Sequence, residues 1–481
     1  MAKLSANIEE QIGRSLVLIC LLVAPGLYCL RAAVVSDPDM WWHMRYGEWI
    51  LAHHAFVPRI DMFSNVGVGK CWTGYSWLFD VVLEKLYQQW NLVGVVIYTT
   101  TISVTIAAAL YHLMRRQKAD PVVGALIVLG VMAILSRLIA PRPWLFSILF
   151  FALELDIVLE ARRTGKRRGL LWLPVIFVLW ANTHILFVLG LLVLGAAAVE
   201  PLAERWWPWR ETKAGVISPW LTLAACVLAC MVNPIGWDLY RTAYVISRQS
   251  GILDLISEMS SLSFRSYEDF LLLFLVLLTA GAMGWNRRLP FFETVLLAAA
   301  AFISFRSRRD LWFVAVAAGA ILASQLPRME KEFKRLTNVA VLAVLLVTAG
   351  VLWAGGRLFE VNNASLETLV QDNLPVNAVE FMRKMPNHGP IFNDFNWGGY
   401  LIWSLREPVS IDSRGVLYGD EWINRNIETW SGRPDWSTDP NLKAAKIVMG
   451  PKTFPLCQIL KLDPEFHLAY EDKLADVFVR Q

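Results

Sequence analysis

Long apolar stretches alternate with short polar breaks along most of the chain. Runs centred near residues 25, 103, 130, 152, 177, 194, 225, 277, 298, 319 and 346 approach the roughly 20 residues that a helix needs to cross a bilayer. They predict about eleven transmembrane helices and an α-helical polytopic membrane protein. Two regions break the pattern. Residues 36–91 separate the first run from the second; they are polar and rich in tryptophan, and their amphipathic stretch from Ser76 to Trp90 is expected to lie along a membrane surface. From about Gly355 to Gln481 the chain turns polar, with glycine, proline and charge. There a helical stretch, Val376 to Met385, precedes short β-rich runs at Val409-Ser410-Ile411, Ala444 to Met449 and Ala475 to Arg480, which predicts a small α/β domain. The expected division is a membrane domain over 1–354 and an α/β domain over 355–481.

Composition supports the membrane assignment. The 481 residues are 56% hydrophobic and only 18% charged, with a mean hydropathy of +0.44, too apolar for an ordinary soluble protein. The net charge of +4 matters less than where Lys and Arg fall. With a cytoplasmic amino terminus, the basic clusters Arg115 to Lys118, Arg162 to Arg168, Arg205 to Lys213, Asn286-Arg287-Arg288 and Arg328 to Arg335 all land on the cytoplasmic side. An odd number of spans then puts the C-terminal domain on the outer face of an inner (plasma) membrane, with loops 36–91 and 233–269 and turns 137–143, 182–184 and 306–310. No small-residue cleavage site follows the first run, so it is expected to be retained. Cys20, Cys29, Cys226 and Cys230 lie in apolar runs and read as small buried hydrophobes. Cys71 and Cys457 fall on the same, outer face, where a disulfide could join them.

Candidate chemistry gathers just beyond the first run, at Asp37-Pro38-Asp39-Met40-Trp41-Trp42-His43-Met44-Arg45. Tryptophan sits well at a membrane interface and aspartate cannot sit deeper. The two carboxylates either cap a helix or serve as a base or metal ligand. The outer-side arginines Arg137, Arg142, Arg306, Arg308 and Arg309 run against the positive-inside bias. A phosphate or anionic headgroup would reward them, because the guanidinium fork matches phosphate oxygens; pairing with Asp310 or Glu258 would reward them too. His184, in Trp180-Ala181-Asn182-Thr183-His184, is either a hydrogen-bonded structural residue or a base. Glu154, Asp156 and Glu160 of the fourth run fit a proton relay, as in a transporter or flippase, or ion pairs with the basic loop that starts at Arg162. In the tail, Asp394-Phe395-Asn396-Trp397-Gly398-Gly399-Tyr400 offers a close backbone approach and an aromatic wall for sugar or peptide, or else a tight turn.

The layout resembles the GT-C glycosyltransferases, polytopic enzymes that use polyprenyl-phosphate-linked sugars and carry a catalytic acid in their first outer loop. Asp37 to Arg45, followed by Pro58-Arg59-Ile60-Asp61, is similar to that first-loop pattern, and more distantly to the catalytic subunit of oligosaccharyltransferase. The resemblance makes Asp39 the candidate catalytic or metal-binding carboxylate and Asp37 the runner-up. Ser257 and Glu258 resemble a loop motif that engages the acceptor, and Asn396 to Tyr400 resembles the Trp-Trp-Asp-Tyr-Gly signature. One departure stands out. Where oligosaccharyltransferases place a second acidic pair, this chain reads Arg137-Leu138-Ile139-Ala140-Pro141-Arg142-Pro143, so a hard cation loses ligands there. The resemblance therefore implies an inverting sugar transferase acting on a glycan or lipid hydroxyl, with protein glycosylation as the alternative. Arg306, Arg308, Arg309, Arg142 and Arg137 are expected to meet the donor phosphate. His43, Asp61, His184, Glu258, Trp397 and Tyr400 are expected to support the site or the acceptor. A divalent metal is left open, with Asp39 its ligand if one binds. The expected partners are the lipid-linked donor, a glycan, lipid or protein acceptor and membrane lipids, with no nucleic acid.

Overall fold

A computed structural model describes residues 2–32, 35, 37–53, 57–117, 119–203, 205–207, 219–248, 256, 258–287, 289–327, 336–386 and 389–481. Each of the eleven apolar runs is a helix: α1 (Ala2–Ala32), α4 (Leu92–Arg116), α5 (Pro121–Leu135), α6 (Trp144–Thr164), α7 (Leu173–Thr183), α8 (Phe187–Ala203), α9 (Trp220–Ala229), α11 (Tyr267–Trp285), α12 (Phe291–Arg306), α13 (Leu311–Gln325) and α14 (Asn338–Leu358). Between them lie α2 (Asp39–His53), α3 (Trp77–Trp90) and α10 (Asp238–Arg248). Among the described residues five helices are long and apolar enough to cross a membrane, and three shorter apolar ones lie within 168–229. Of the roughly eleven transmembrane helices expected, five thus meet the criterion of length and composition.

Local sequence explains where several helices begin. Asp120 accepts from the Val122 and Val123 amides at 2.8 and 3.2 Å with Pro121 behind it, so α5 starts there. Ser266 and Thr337 cap α11 and α14 in the same way. Helix α13 is apolar on every side and nearly every residue of it is buried, so it forms the centre of the bundle, packed by α4, α5, α6, α11 and α12. At one end of the bundle Arg116 pairs with Asp156 at 2.7 Å and Glu160 at 3.4 Å, and Arg162 with Glu200 at 2.7 Å and Glu293 at 3.1 Å. Asp156 and Glu160 thus form ion pairs. Glu154 does not: it is fully buried and neither carboxyl oxygen has a hydrogen-bond partner among the described residues.

At the other end α2 and α3 pack on each other and on the bundle, and the C-terminal part covers them. It contains a four-stranded sheet in the order β1 (Ile391–Asn393), β2 (Ile447–Pro451), β4 (Ala475–Arg480), β3 (Phe466–Glu471), in which β1 and β2 are parallel and the other pairs antiparallel. Alternate residues of β2 serve different cores, as the two-residue period of a strand requires: Ile447 and Met449 join the main core, and Val448 joins a smaller one around Phe392, Trp430 and Phe478. Three expectations change. Within residues 409–411 only Val409 makes isolated bridges, to Ser64 and Ile391, and the run is not a strand. The boundary at 355 falls inside α14, which runs to Leu358. Cys71 is exposed and Cys457 is buried in the smaller core, both as free thiols, so no disulfide joins them.

The junction between the two parts is tight. Trp41 of α2 meets Tyr400 edge-on at 5.0 Å and Trp403 at 4.6 Å, both on helix α15 (Gly398–Leu405). Gly399 makes this possible: a Cβ there would lie 2.8 Å from the Pro38 carbonyl oxygen, so backbone touches backbone across the junction, while a Cβ on Gly398 would lie 2.2 Å from the Ile411 carbonyl oxygen within the C-terminal part. Deeper in, Arg414 is sealed between Asp412, at 2.9 and 2.7 Å, and Asp61 of the first loop, at 2.6 Å.

Candidate active site

Asp37 sits at the start of α2, where its carboxylate accepts from the Asp39 and Met40 amides at 2.9 and 3.3 Å. This is the capping role open to an aspartate before a helix, and it leaves the rest of the carboxylate to face Arg142. Arg142 Nε donates to Asp37 at 2.8 Å, Nη1 pairs with Asp39, and Nη2 lies 3.6 Å from Glu258. One buried guanidinium therefore gathers three carboxylates from two distant loops. Its plane also lies 5.1 Å from the centre of the Trp144 ring.

The loop that carries Glu258 is held by backbone pairing. The amides of Arg308 and Arg309 donate to the carbonyls of Ser260 and Glu258 at 3.0 and 2.9 Å, and Leu262 donates to Phe305 at 3.1 Å. Ser257 lies outside the described residues. Asp39, Arg142, Glu258 and Arg309 line a cavity of about 510 Å³ between the bundle and the C-terminal part. Its far wall comes from Asp394, Phe395, Asn396, Asn426, Trp430 and Phe454. A smaller cavity of about 140 Å³ adjoins it, lined by Arg137, Leu138, Trp144, Glu258, Arg308 and Arg309, so that Trp144, Glu258 and Arg309 wall both.

The five arginines differ in what they hold. Arg137 is paired with the fully buried Asp269 at 2.8 Å. Arg308 donates to the Ser261 carbonyl at 3.2 Å. The Arg309 Nε is buried and has no hydrogen-bond acceptor among the described residues. Arg306, the last residue of α12, is exposed and lines neither cavity.

Two histidines lie below the main cavity without lining it. His43, one helical turn after Asp39, hydrogen-bonds through Nδ1 with the fully buried Asp80 at 2.6 Å and stacks on Trp42 at 3.6 Å. Burial pushes the Asp80 carboxyl up, and His43 pulls it back. His184 Nδ1 is 2.7 Å from Ser147 Oγ, which also accepts from Trp180 Nε1 at 2.7 Å. Asp61, Trp397 and Tyr400 are buried in packing and ion pairs and do not line the cavity. Of the tail motif, Asp394, Phe395 and Asn396 face the cavity. Burial pushes the Asp394 carboxyl up to about 6 against the pull of the Asn396 and Trp397 amides.

No protein-family profile and no curated protein sequence matches the chain. Solved structures do. ArnT from Cupriavidus metallidurans bound to undecaprenyl phosphate matches with a TM-score of 0.52 at 14% identity over 96% of this chain and 97% of that one. The Archaeoglobus fulgidus oligosaccharyltransferase in its apo form matches with a TM-score of 0.59 at 10% identity, covering 92% and 69%. The same archaeal enzyme in complex with an inhibitory peptide and a dolichol-phosphate gives 0.56 at 10% identity over the same shares. At such identities the likeness is one of fold, and the chain has the GT-C fold that these membrane enzymes share.

Proposed function

We propose that the chain is an inverting glycosyltransferase that moves a sugar from a polyprenyl-phosphate donor to a hydroxyl of a glycan or lipid. The observation that carries this reading is the pair of joined cavities, one lined by carboxylates and polar and aromatic side chains and the other by three arginines. The smaller is of a size for a phosphate, and Arg309, with a buried Nε lacking an acceptor, is the group best placed to receive one. Arg308 and Arg137 share that wall. Arg142 is committed to carboxylates, so its part is to hold Asp39 and Asp37 in place.

In the transfer, the acceptor oxygen attacks the anomeric carbon and the bond to the phosphate oxygen breaks. The polyprenyl phosphate leaves with the electron pair, and the acceptor proton passes to Asp39. Arg309 and Arg308 stabilise the charge that builds on the phosphate. The Asp394, Asn396, Asn426 and Phe454 wall offers an acceptor the mixture of polar groups and rings that suits a sugar. The membrane domain of residues 1–354 would supply the chemistry and the part beyond would seat the acceptor, both on the outer face of an inner membrane with the amino terminus in the cytoplasm.

A second reading, transfer to protein as in an oligosaccharyltransferase, draws support from the likeness to the archaeal enzyme. The full-length protein in proteoliposomes, given a panel of polyprenyl-phosphate sugars with glycan, lipid and peptide acceptors, separates the two. Release of polyprenyl phosphate coupled to glycan or lipid labelling is the expected result; labelling of peptide alone would favour the second reading, and no donor consumption would remove both. Mass spectrometry of envelope glycans from a deletion strain would then name the sugar.

A further inference from the structure

Three carboxylates at the mouth of a membrane enzyme suggest a divalent cation, and the surroundings of Arg142 bear on whether one fits. A hard cation asks for six or more oxygens close around it. Here the space between Asp37, Asp39 and Glu258 is filled by a guanidinium that is 93% shielded from solvent, with Asp37 at 2.8 Å and Glu258 at 3.6 Å. The donors are also spent: Asp37 caps α2 through two amides while it binds Arg142. Among the described residues no group of three or more His, Cys, Asp or Glu side chains is placed to hold a metal ion. His43, the nearest nitrogen ligand along α2, is turned to Asp80 and stacked under Trp42. The donor set does not fit a divalent metal as it stands.

We propose that Arg142 is a built-in cation occupying the position a divalent metal would need, so that Asp37, Asp39 and Glu258 are organised by a guanidinium and the native site does not take up a metal. A guanidinium and a metal ion answer the same electrostatic demand, since either offsets carboxylates that would otherwise repel one another at close range. They differ in geometry. The planar fork presents directed donors that hold each carboxylate at hydrogen-bonding distance, and it cannot be exchanged or chelated. Arg142 is anchored for this task on the turn before α6, with Trp144 beneath it and its carbonyl receiving the Tyr98 hydroxyl at 3.4 Å.

The experiment is Mn²⁺ binding to the full-length protein in detergent or nanodiscs, followed by electron paramagnetic resonance and by thermal melting. It needs no sugar, so its outcome is separate from that of the transferase assay. Wild type should bind no stoichiometric Mn²⁺, and its melting temperature should not move with EDTA. Arg142→Ala, which leaves the carboxylates without their cation, should bind Mn²⁺ at least tenfold more tightly than wild type and melt at higher temperature when Mn²⁺ is present. The gain should disappear in Arg142→Ala/Asp39→Asn. Arg142→Lys keeps a positive charge in the space and should remain indifferent.

Stoichiometric Mn²⁺ binding by wild type that is lost in Asp39→Asn would overturn the proposal, because a metal would then displace the guanidinium. So would a folded Arg142→Ala that gains no binding. Should that variant fail to fold, the wild-type titration and its Asp39→Asn control decide alone.

Discussion

Arg414 and Arg142 are both buried guanidiniums that reach aspartates of the first loop, and their surroundings could hardly differ more. Around Arg414 every partner is closed off. Asp412 takes two of its donors, Asp61 takes a third, the Tyr418 hydroxyl donates to Asp412 at 2.6 Å, and Ser64 donates to Asp61 at 2.6 Å. Around Arg142 the carboxylates of Asp39 and Glu258 open on a cavity, and Glu258 is half-exposed. Desolvation makes the first cluster a clamp between loop and sheet, whose loss would leave charge stranded without water. Access gives the second cluster the role we propose for it, in which a carboxylate meets an incoming hydroxyl.

Substitutions can break this contrast. The largest expected effect is on turnover: Asp39→Asn should lower the transfer rate by roughly 10²–10⁴-fold, the range of general acid–base contributions, with an unchanged melting curve; normal turnover would remove Asp39 from the mechanism. Arg414→Ala should act on the other side of the comparison and destabilise the protein by about 3–5 kcal/mol, read as a lower melting temperature or loss of folded yield. A folded, inactive Arg414→Ala would instead move that cluster into the site. Arg309→Ala should weaken the donor by roughly 10- to 100-fold in KM, the worth of a charged hydrogen bond of about 1.5–3 kcal/mol, and leave the acceptor KM alone; a reversed titration would contradict the phosphate assignment.

The smallest effect concerns Asp394. Its carboxyl is raised in the folded protein to about 6 from an ordinary 3.8. The stability it contributes is therefore complete below about 4 and lost as the pH rises through 6. Asp394→Asn, which cannot ionise, should flatten the melting temperature across that window, and an identical pH profile in wild type and variant would show that Asp394 does not titrate there.

Much of the bundle was legible because apolar length is a one-dimensional signal: all eleven runs are helices. The acid pair after the first run was legible as well, since only a polar lip explains aspartates beside tryptophans there. That the acids and the outer arginines share one face was legible too; that Arg142 pairs with both acids was not. Nothing local joins Arg142 to Asp37, 105 residues away, and its place on one of two arginine-bearing turns suggested a phosphate partner as readily as a carboxylate. Arg306 looked equivalent to Arg308 and Arg309, yet it ends α12, while Arg308–Asp310 form a separate helical turn after the extended Ser307, so it points to a different place. In the tail motif the aromatic residues drew notice, but Trp397 and Tyr400 pack and the polar half faces the cavity. The period of a short helix cannot tell these faces apart without its neighbours.

The contact of Gly399 with the Pro38 carbonyl carries a mechanical consequence. Pro38 is the residue immediately before Asp39, so the sheet-bearing part bears directly on the peptide unit next to the acid. A bulky molecule that leaned on that part would shift the carboxylate without any relay of intervening side chains. Cutting the polypeptide after α14 would accordingly unseat the acid, and two separately produced halves would recover the native site by rebuilding this backbone abutment together with the Trp41 and Arg414 contacts.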